Sequence, residues 1–508
     1  MPAIRVESPR VKKQTALRCG AWARARKLAP AIIGLLSLSL AACQDGTPGA
    51  DGGPDAVVNA DAGAGHDGGA QPDGSAGLDA GGLVDAGADA GPGTEPVCDR
   101  SFHVASSGRS GAAGTMDDPW STVGDVNGAD LQPGDCVWFR RGDSWGESLT
   151  PPSSGTSDRP IVFGAYGTGA PPRLTGEGDR SCVGWVGPRS HLVFRDLHLD
   201  GCGRPGGGNA GGISVWSEGG TSRDLLIEGL LIEGAKTWGI YMSGVSGLLI
   251  RRTRISGSGE QHGIYLDGTL GLDDAVVEGC EIHHNNQMCV QLNSNGHSRL
   301  TGVILRYNRL HDCGLGGVNN IGADGLRAHH NLIYGEMPGI YNGCDGADDG
   351  CSAGAVDAVY ANNTIHVMGS GWAACLSNGS PLGAPDFASF VNNICVHDAG
   401  SGVALEDGEL SAATTDHNLY FSNVSSSVPF EWGGAWYDDF AAFQAGTGHG
   451  ADSSFADPGL RDAPGAGYEL LGSSPAVDTA SDLGFTRDIV GTPVPSGSAP
   501  DRGAFERP

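Results

Sequence analysis

Lys236 is the only lysine after residue 27, and it stands in the stretch Gly234-Ala-Lys-Thr-Trp-Gly-Ile-Tyr241. One repeat later the chain reads Gly259-Glu-Gln-His-Gly-Ile-Tyr265. Laying one Gly-Ile-Tyr triplet over the other sets Glu260 beside Lys236 and His262 beside Trp238. An amine and an imidazole on neighbouring turns can perform general acid–base chemistry, one group taking a proton and the other returning it. Lys236 with His262 is therefore the candidate catalytic pair. Glu260 is either their partner or half of a surface ion pair of little energetic weight. His283, His311, His366 and His397 recur at strand ends, two of them followed by Asp312 and Asp398, and read as a turn element. His283-His284 is a reserve candidate.

The Gly-Ile-Tyr strand itself recurs as Gly239-Ile-Tyr-Met242, Gly263-Ile-Tyr-Leu266, Cys289-Val-Gln-Leu292, Gly317-Val-Asn-Asn320, Gly339-Ile-Tyr-Asn342 and Gly402-Val-Ala-Leu405. Tyr241, Tyr265, Gln291, Asn319 and Tyr341 occupy matching positions and are expected to line one exposed outer face. Aromatic faces suit the apolar faces of sugar rings, and amides and hydroxyls suit their hydroxyl groups, so these five are the candidate substrate-binding residues for a polysaccharide. The alternative is a solvated sheet face carrying scattered aromatics.

What must position them is a second, more regular pattern. It reads Ile227-Glu-Gly-Leu-Leu-Ile232, Ile250-Arg-Arg-Thr-Arg-Ile255, Val277-Glu-Gly-Cys-Glu-Ile282, Leu305-Arg-Tyr-Asn-Arg-Leu310, Ala328-His-His-Asn-Leu-Ile333 and Tyr360-Ala-Asn-Asn-Thr-Ile365. Looser copies end at Cys395 and Tyr420, and successive copies end 23, 27, 28, 23, 32, 30 and 25 residues apart. Such a period, with Gly-rich insertions, marks a solenoid of stacked units. Asn308, Asn331, Asn363, Asn393 and Asn418 hold the same place in five consecutive copies. Stacked Asn side chains at a turn bond one another and the next rung's backbone, so these are scaffold.

Length and charge bound the rest. A solenoid can occupy 508 residues as one unit, and 86 glycines argue for many turns and strands. No sustained 3.6-residue apolar stripe follows residue 100. A net charge of −28 makes nucleic acid an unfit partner, because phosphate binding needs clustered Lys and Arg.

At the N-terminus, Arg18, Arg24, Arg26 and Lys27 precede an apolar run ending in Leu40-Ala41-Ala42-Cys43, the order of a secretory signal. Leu-Ala-Ala-Cys resembles the lipobox of bacterial lipoproteins, which would make Cys43 the lipidated first residue. With Gln44 next, the resemblance favours the outer membrane or cell surface, membrane contact coming only through the lipid. From Gln44 to Pro96 the chain holds no Lys or Arg and steps Asp every six residues from Asp55 to Asp85, the composition of an extended tether. The expected division is a signal peptide over 1–43, a tether over 44–97, a solenoid over 98–460 and a C-terminal cap over 461–508.

Phe102-His-Val-Ala-Ser-Ser-Gly, Gly114-Thr-Met-Asp-Asp-Pro-Trp120, Leu131-Gln-Pro-Gly-Asp-Cys-Val-Trp-Phe139 and Arg159-Pro-Ile-Val-Phe-Gly-Ala-Tyr166 form a recognisable series. With Ser474-Pro-Ala-Val-Asp478 and Ala499-Pro-Asp-Arg-Gly-Ala-Phe505, the chain from about 100 onward resembles bacterial proteins of the pectate lyase-like superfamily. The resemblance implies an all-β, single-stranded right-handed parallel β-helix. It also implies β-elimination on an acidic polysaccharide, in which a base removes the C5 proton and a cation neutralises the developing enolate. Lys236 would be that base. A non-catalytic glycan-binding or adhesion module is the alternative, since the fold carries both. Some such families recruit calcium, and Asp345, Asp348 and Asp349 could hold Ca2+, although a solvated loop is the plainer reading; no metal site is otherwise expected.

Eleven cysteines follow Cys43. In an exported monomer they suggest Cys98–Cys136, Cys182–Cys202, Cys289–Cys313, Cys344–Cys351 and Cys375–Cys395, leaving Cys280 over.

Overall fold

The computed structural model describes residues 97–294, 300–335, 338–343, 357–369, 372–379, 389–398, 401–402, 404–407, 413–461, 463 and 467–508. Cys43, residues 1–96 of the leader and tether, the Cys344–Cys351 pair and the acidic loop holding Asp345 lie outside these.

The described residues form one sheet of 23 strands, one of 12 and a two-stranded pair. Apart from the antiparallel pair Phe430–Trp432 with Ala435–Tyr437, the paired strands run parallel, each bonded to its equivalent one turn along the coil. This is a parallel β-helix, as the repeat predicts. Ile232, Ile255, Ile282, Leu310, Ile333, Ile365, Cys395 and Tyr420 stack directly on one another in the smaller sheet. All eight are buried, so the last apolar position of every copy fills one column of the core.

The six-residue pattern is not one strand but a corner. Ile227 lies in Ser222–Glu228 of the larger sheet, while Ile232 lies in Leu231–Glu233 of the smaller one. The residue entering the corner is left-handed: Gly229, Arg252, Gly279, Tyr307, His330, Asn362, Asn392 and His417 have φ between 49° and 64°. Side chains seldom adopt that conformation unless the surroundings hold it. From Tyr307 onward the Asn column holds it. Asn363 Oδ1 accepts from both the backbone N–H and the Nδ2 of Asn331, each at 3.0 Å. Its own Nδ2 donates to Ala328 O at 2.9 Å and to Asn393 Oδ1 at 3.1 Å. The same bonds link Asn308 to Asn331 and Asn393 to Asn418. Every member is satisfied by its neighbours, which is the condition under which buried amides stabilise rather than disrupt.

A column of charges runs beside this corner. Arg195, Glu228, Arg251, Glu278, Arg306 and His329 lie in register on successive rungs. Arg251 donates to Glu228 at 3.1 Å and Arg306 to Glu278 at 2.9 Å, with Glu228, Arg251 and Arg306 all buried. The C-terminal segment closes over this flank. Phe485 stacks on His329 at 4.4 Å, and Arg487 lies over the Tyr307 ring at 4.6 Å. Further along, Asn362 Nδ2 donates to Asp501 O and Ala504 N to Thr364 Oγ1.

Short helices complete the ends. Val123–Asn127 is capped by Thr122, whose side chain accepts from Asp125 N, and it sends Val123 and Val126 into the core. Phe440–Thr447 packs Phe443 on Phe430 at 4.8 Å. No helix among the described residues is long and apolar enough to cross a membrane. Disulfides join Cys98–Cys136, Cys182–Cys202, Cys289–Cys313 and Cys375–Cys395 as expected. Cys280 is free, and burial pushes its thiol up to about 12, so it is inert at neutral pH.

Asn363→Ala removes one rung of the amide column, leaves Asn331 N–H without its acceptor, and takes one of two bonds from Asn331 Nδ2 and a side-chain donor from Ala328 O. It is expected to lower stability by roughly 3–5 kcal/mol, read as a fall in the urea midpoint.

Candidate functional site

The outward column of the larger sheet is set by alternation. Ile240 and Met242 point into the core, so Tyr241 points out; Ile264 and Leu266 do the same for Tyr265, and Val290 and Leu292 for Gln291. Tyr241, Tyr265, Gln291, Asn319 and Tyr341 are paired in sequence on five consecutive rungs, so the expected face forms in register. Upstream, Ser214 continues it.

This face is less exposed than expected. Tyr241 is 9% exposed and Gln291 4%, while Tyr265, Asn319 and Tyr341 are partly exposed. The reason is an aromatic platform that the rungs bring together. Trp238 stacks on Tyr241 at 4.6 Å, and Trp216 lies nearly parallel to Tyr241 at 6.4 Å. Tyr265 stands edge-on to Tyr241 at 5.4 Å. Trp216 is a residue that the spacing could have found, since Gly212-Ile-Ser-Val-Trp216 is an earlier copy of the face strand.

The polar groups around the platform are already oriented. Tyr241 OH donates to Asp267 Oδ2 at 2.7 Å, and Thr269 N–H holds Oδ1 of the same carboxylate at 2.6 Å. Burial, then the Asp267 charge, pushes the Tyr241 phenol far up, so it is a fixed donor and never a base. Trp238 Nε1 donates to Ser214 Oγ at 2.9 Å. Asn319 Nδ2 donates to Gln291 Oε1 at 2.8 Å, while Asn319 Oδ1 is buried without a partner.

Lys236 and Glu260 meet as the alignment predicts. Lys236 Nζ donates to Glu260 Oε2 at 2.9 Å, with the lysine side chain 8% exposed and the glutamate 50%. His262 lies on the same rung as Glu260, buried and edge-on to Tyr265 at 5.2 Å. Its Nδ1 accepts from Met288 N–H at 3.2 Å, so the neutral ring carries its proton on Nε2. Burial pushes His262 down to about 3. It is therefore a neutral donor at physiological pH. Arg251, Arg252 and Arg254 take no part: Arg251 and Arg252 bind Glu228, and Arg254 meets His283 and Glu281. The segments 211–216, 238–243, 264–269, 288–293, 316–321 and 340–343 contain no Arg or Lys at all. His283 ends a strand of the smaller sheet and His284 follows it, whereas the face column belongs to the larger sheet.

A family model described as a right-handed β-helix region matches residues 185–349. No curated protein matches the sequence. Solved structures that match include three that show the fold. The native GH136 lacto-N-biosidase from Eubacterium ramulus is 15% identical with a TM-score of 0.51, over 64% of each chain. This chain thus spans just under two thirds of that protein's length. The pectate lyase Pel9A is 14% identical, with a TM-score of 0.50 over 81% of this chain and 97% of that one. XylC in complex with xylose is 12% identical, with a TM-score of 0.50 over 80% and 99%. At these identities the likeness is one of fold, and the fold is the right-handed parallel β-helix.

The depressed His262 has a consequence for stability. Its folded-state value of about 3 lies below the ordinary 6.5, so its contribution is present above pH 6.5 and is lost as pH falls towards 3. Between pH 6 and 4, His262→Gln should lose stability less steeply than the unaltered chain, by about 1.4 kcal/mol per pH unit. Urea titrations at stepped pH measure this slope.

Proposed function

We propose that this chain is a polysaccharide-directed β-helix that holds a glycan across its rungs, along the face from Trp216 to Tyr341. The observation that carries the reading is the platform of Trp216, Trp238, Tyr241 and Tyr265 continued by the Gln291–Asn319 amide pair. Stacked rings meet the apolar face of a sugar, and the fixed donors and acceptors meet its hydroxyls. Disulfides across the rungs suit a protein that works outside the cytoplasm.

Of the two finer readings, the geometry favours binding over cleavage. β-Elimination on an acidic glycan asks for a free base and for positive charge near the substrate carboxylate. Lys236 is bonded to Glu260, His262 Nδ1 is taken by Met288, and the face segments carry no other cation. Asp267 and Glu260 add negative charge beside the platform. A hydroxyl-rich neutral glycan fits this surface better than a polyuronate.

The lyase reading keeps one observation in its favour: Lys236 and His262 do stand on adjacent rungs beside the rings. In that reading Lys236, freed from Glu260 by substrate, takes the C5 proton. Anchoring through a lipid on Cys43, and calcium held by the acidic loop, belong to the same set of proposals.

Incubation with alginate, pectate, chondroitin and neutral glycans, with and without calcium, separates the readings. Retention on a neutral-glycan column without unsaturated uronide, followed by ultraviolet absorbance, is the expected result. Tyr265→Ala should weaken retention roughly ten- to hundred-fold, the loss of one ring that a bound sugar would cover. Uronide release that disappears in Lys236→Ala would establish cleavage instead.

A further inference from the structure

We propose that the smaller sheet carries a divalent transition-metal site formed by His284, His311 and Asp312, on a part of the surface separate from the glycan face. Two rungs set out a two-by-two grid, with His283-His284 on one and His311-Asp312 on the next. His283 and His311 pair in register, and their rings stack at 4.9 Å with planes 3° apart. His284 and Asp312 both take the left-handed conformation, each at φ 54°, so their side chains leave the corner one rung apart in the same sense. Donor atoms of His284, His311 and Asp312 all lie within 4.8 Å of one another.

The surrounding hydrogen bonds orient His311 towards that point and hold His284 against its neighbour. Arg254 Nε donates to His283 Nε2 at 3.0 Å, so the neutral His283 carries its proton on Nδ1 and gives it to His284 Nδ1 at 2.8 Å; that bond occupies the one lone pair of a neutral His284, which must leave it to ligate. Glu281 Oε1 lies 3.5 Å from His311 Nε2, on the far side of the ring from Asp312. A carboxylate there fixes a ligating imidazole with its other nitrogen turned towards the metal. That other nitrogen, His311 Nδ1, is 2.8 Å from Asp312 Oδ2. Two ligands at right angles, each about 2.1 Å from a metal, stand about 3 Å apart. The pair is already near the spacing of a chelate. Rotation of the exposed His284 ring out of its bond to His283 frees a ring nitrogen as the third ligand.

Two imidazoles and one carboxylate favour nickel, copper or zinc over calcium or magnesium, which prefer all-oxygen sets. His284 and Asp312 are exposed, so an ion can reach them. Because the ligands come from two rungs, the bound ion would tie those rungs together.

The test is calorimetric titration of metal-free full-length protein with Zn2+, paired with electron paramagnetic resonance of the Cu2+ form. One equivalent should bind, with two nitrogen ligands on copper and a melting temperature that rises with the logarithm of zinc concentration. His284→Ala and His311→Ala should each weaken binding at least ten-fold. His311 is packed between His283 and Tyr334, so the exposed His284 variant is the decisive one if the other misfolds. Absence of binding, or binding unchanged in His284→Ala, overturns the proposal. So does binding abolished by His417→Ala, which would move the ion to the Asp416–His417–Asp452 group.

Discussion

Each corner of this coil takes the backbone out of one sheet and into another, and its N–H and C=O groups then have only the adjacent rung to bond. Buried backbone polar groups left without partners cost too much to persist. The Asn column answers that requirement, because each amide bonds the backbone of one rung and the side chain of the next. It also fixes where each strand begins, and so which side chains point out. At the earlier rungs Thr253 and Cys280 fill the same place, and Asn308 Oδ1 accepts from Cys280 N–H where the column starts.

The surface chemistry follows from that alignment. Side chains 22 to 32 residues apart in sequence become neighbours at rung spacing, roughly 4.8 Å. Rings then stack on rings in the face, imidazoles on imidazoles in the smaller sheet, and amides on amides in the corner. Burial does the rest. The platform withdraws His262 and Tyr241 from water, which fixes one as a neutral ring and the other as a permanent donor. A surface of locked donors and aromatic faces has the character of a recognition surface more than of a proton-transfer site.

Much of this was legible in the residues. Recurrence of Asn and Ile at one place per copy specifies the stacking, and the Gly-Ile-Tyr triplets align Lys236 with Glu260 without any coordinates. Four cysteine pairings are equally readable. Less so were features that need the path between copies. The Asn place reads as a turn, but that the chain passes there from one sheet to another rests on the left-handed residue before each Asn. Tyr241 reads as exposed, because nothing in the spacing says that Trp216 and Trp238 would close around it. The His283–Asp312 grid was visible only as repeated turn histidines, since a donor set divided between rungs has no local motif.

The charged column of Glu228, Arg251, Glu278 and Arg306 bears on a hazard peculiar to repeats: one turn stacking on the wrong turn. Its signs alternate, so neighbours attract only when the order is correct. If a rung were skipped, Glu228 would face Glu278, or Arg251 would face Arg306. Two like charges at rung spacing repel by roughly 3 kcal/mol at an effective dielectric of 20. The column therefore works as a parity check on assembly: the aliphatic core accepts any rung on any other, and the alternating charges reject a count that is off by one.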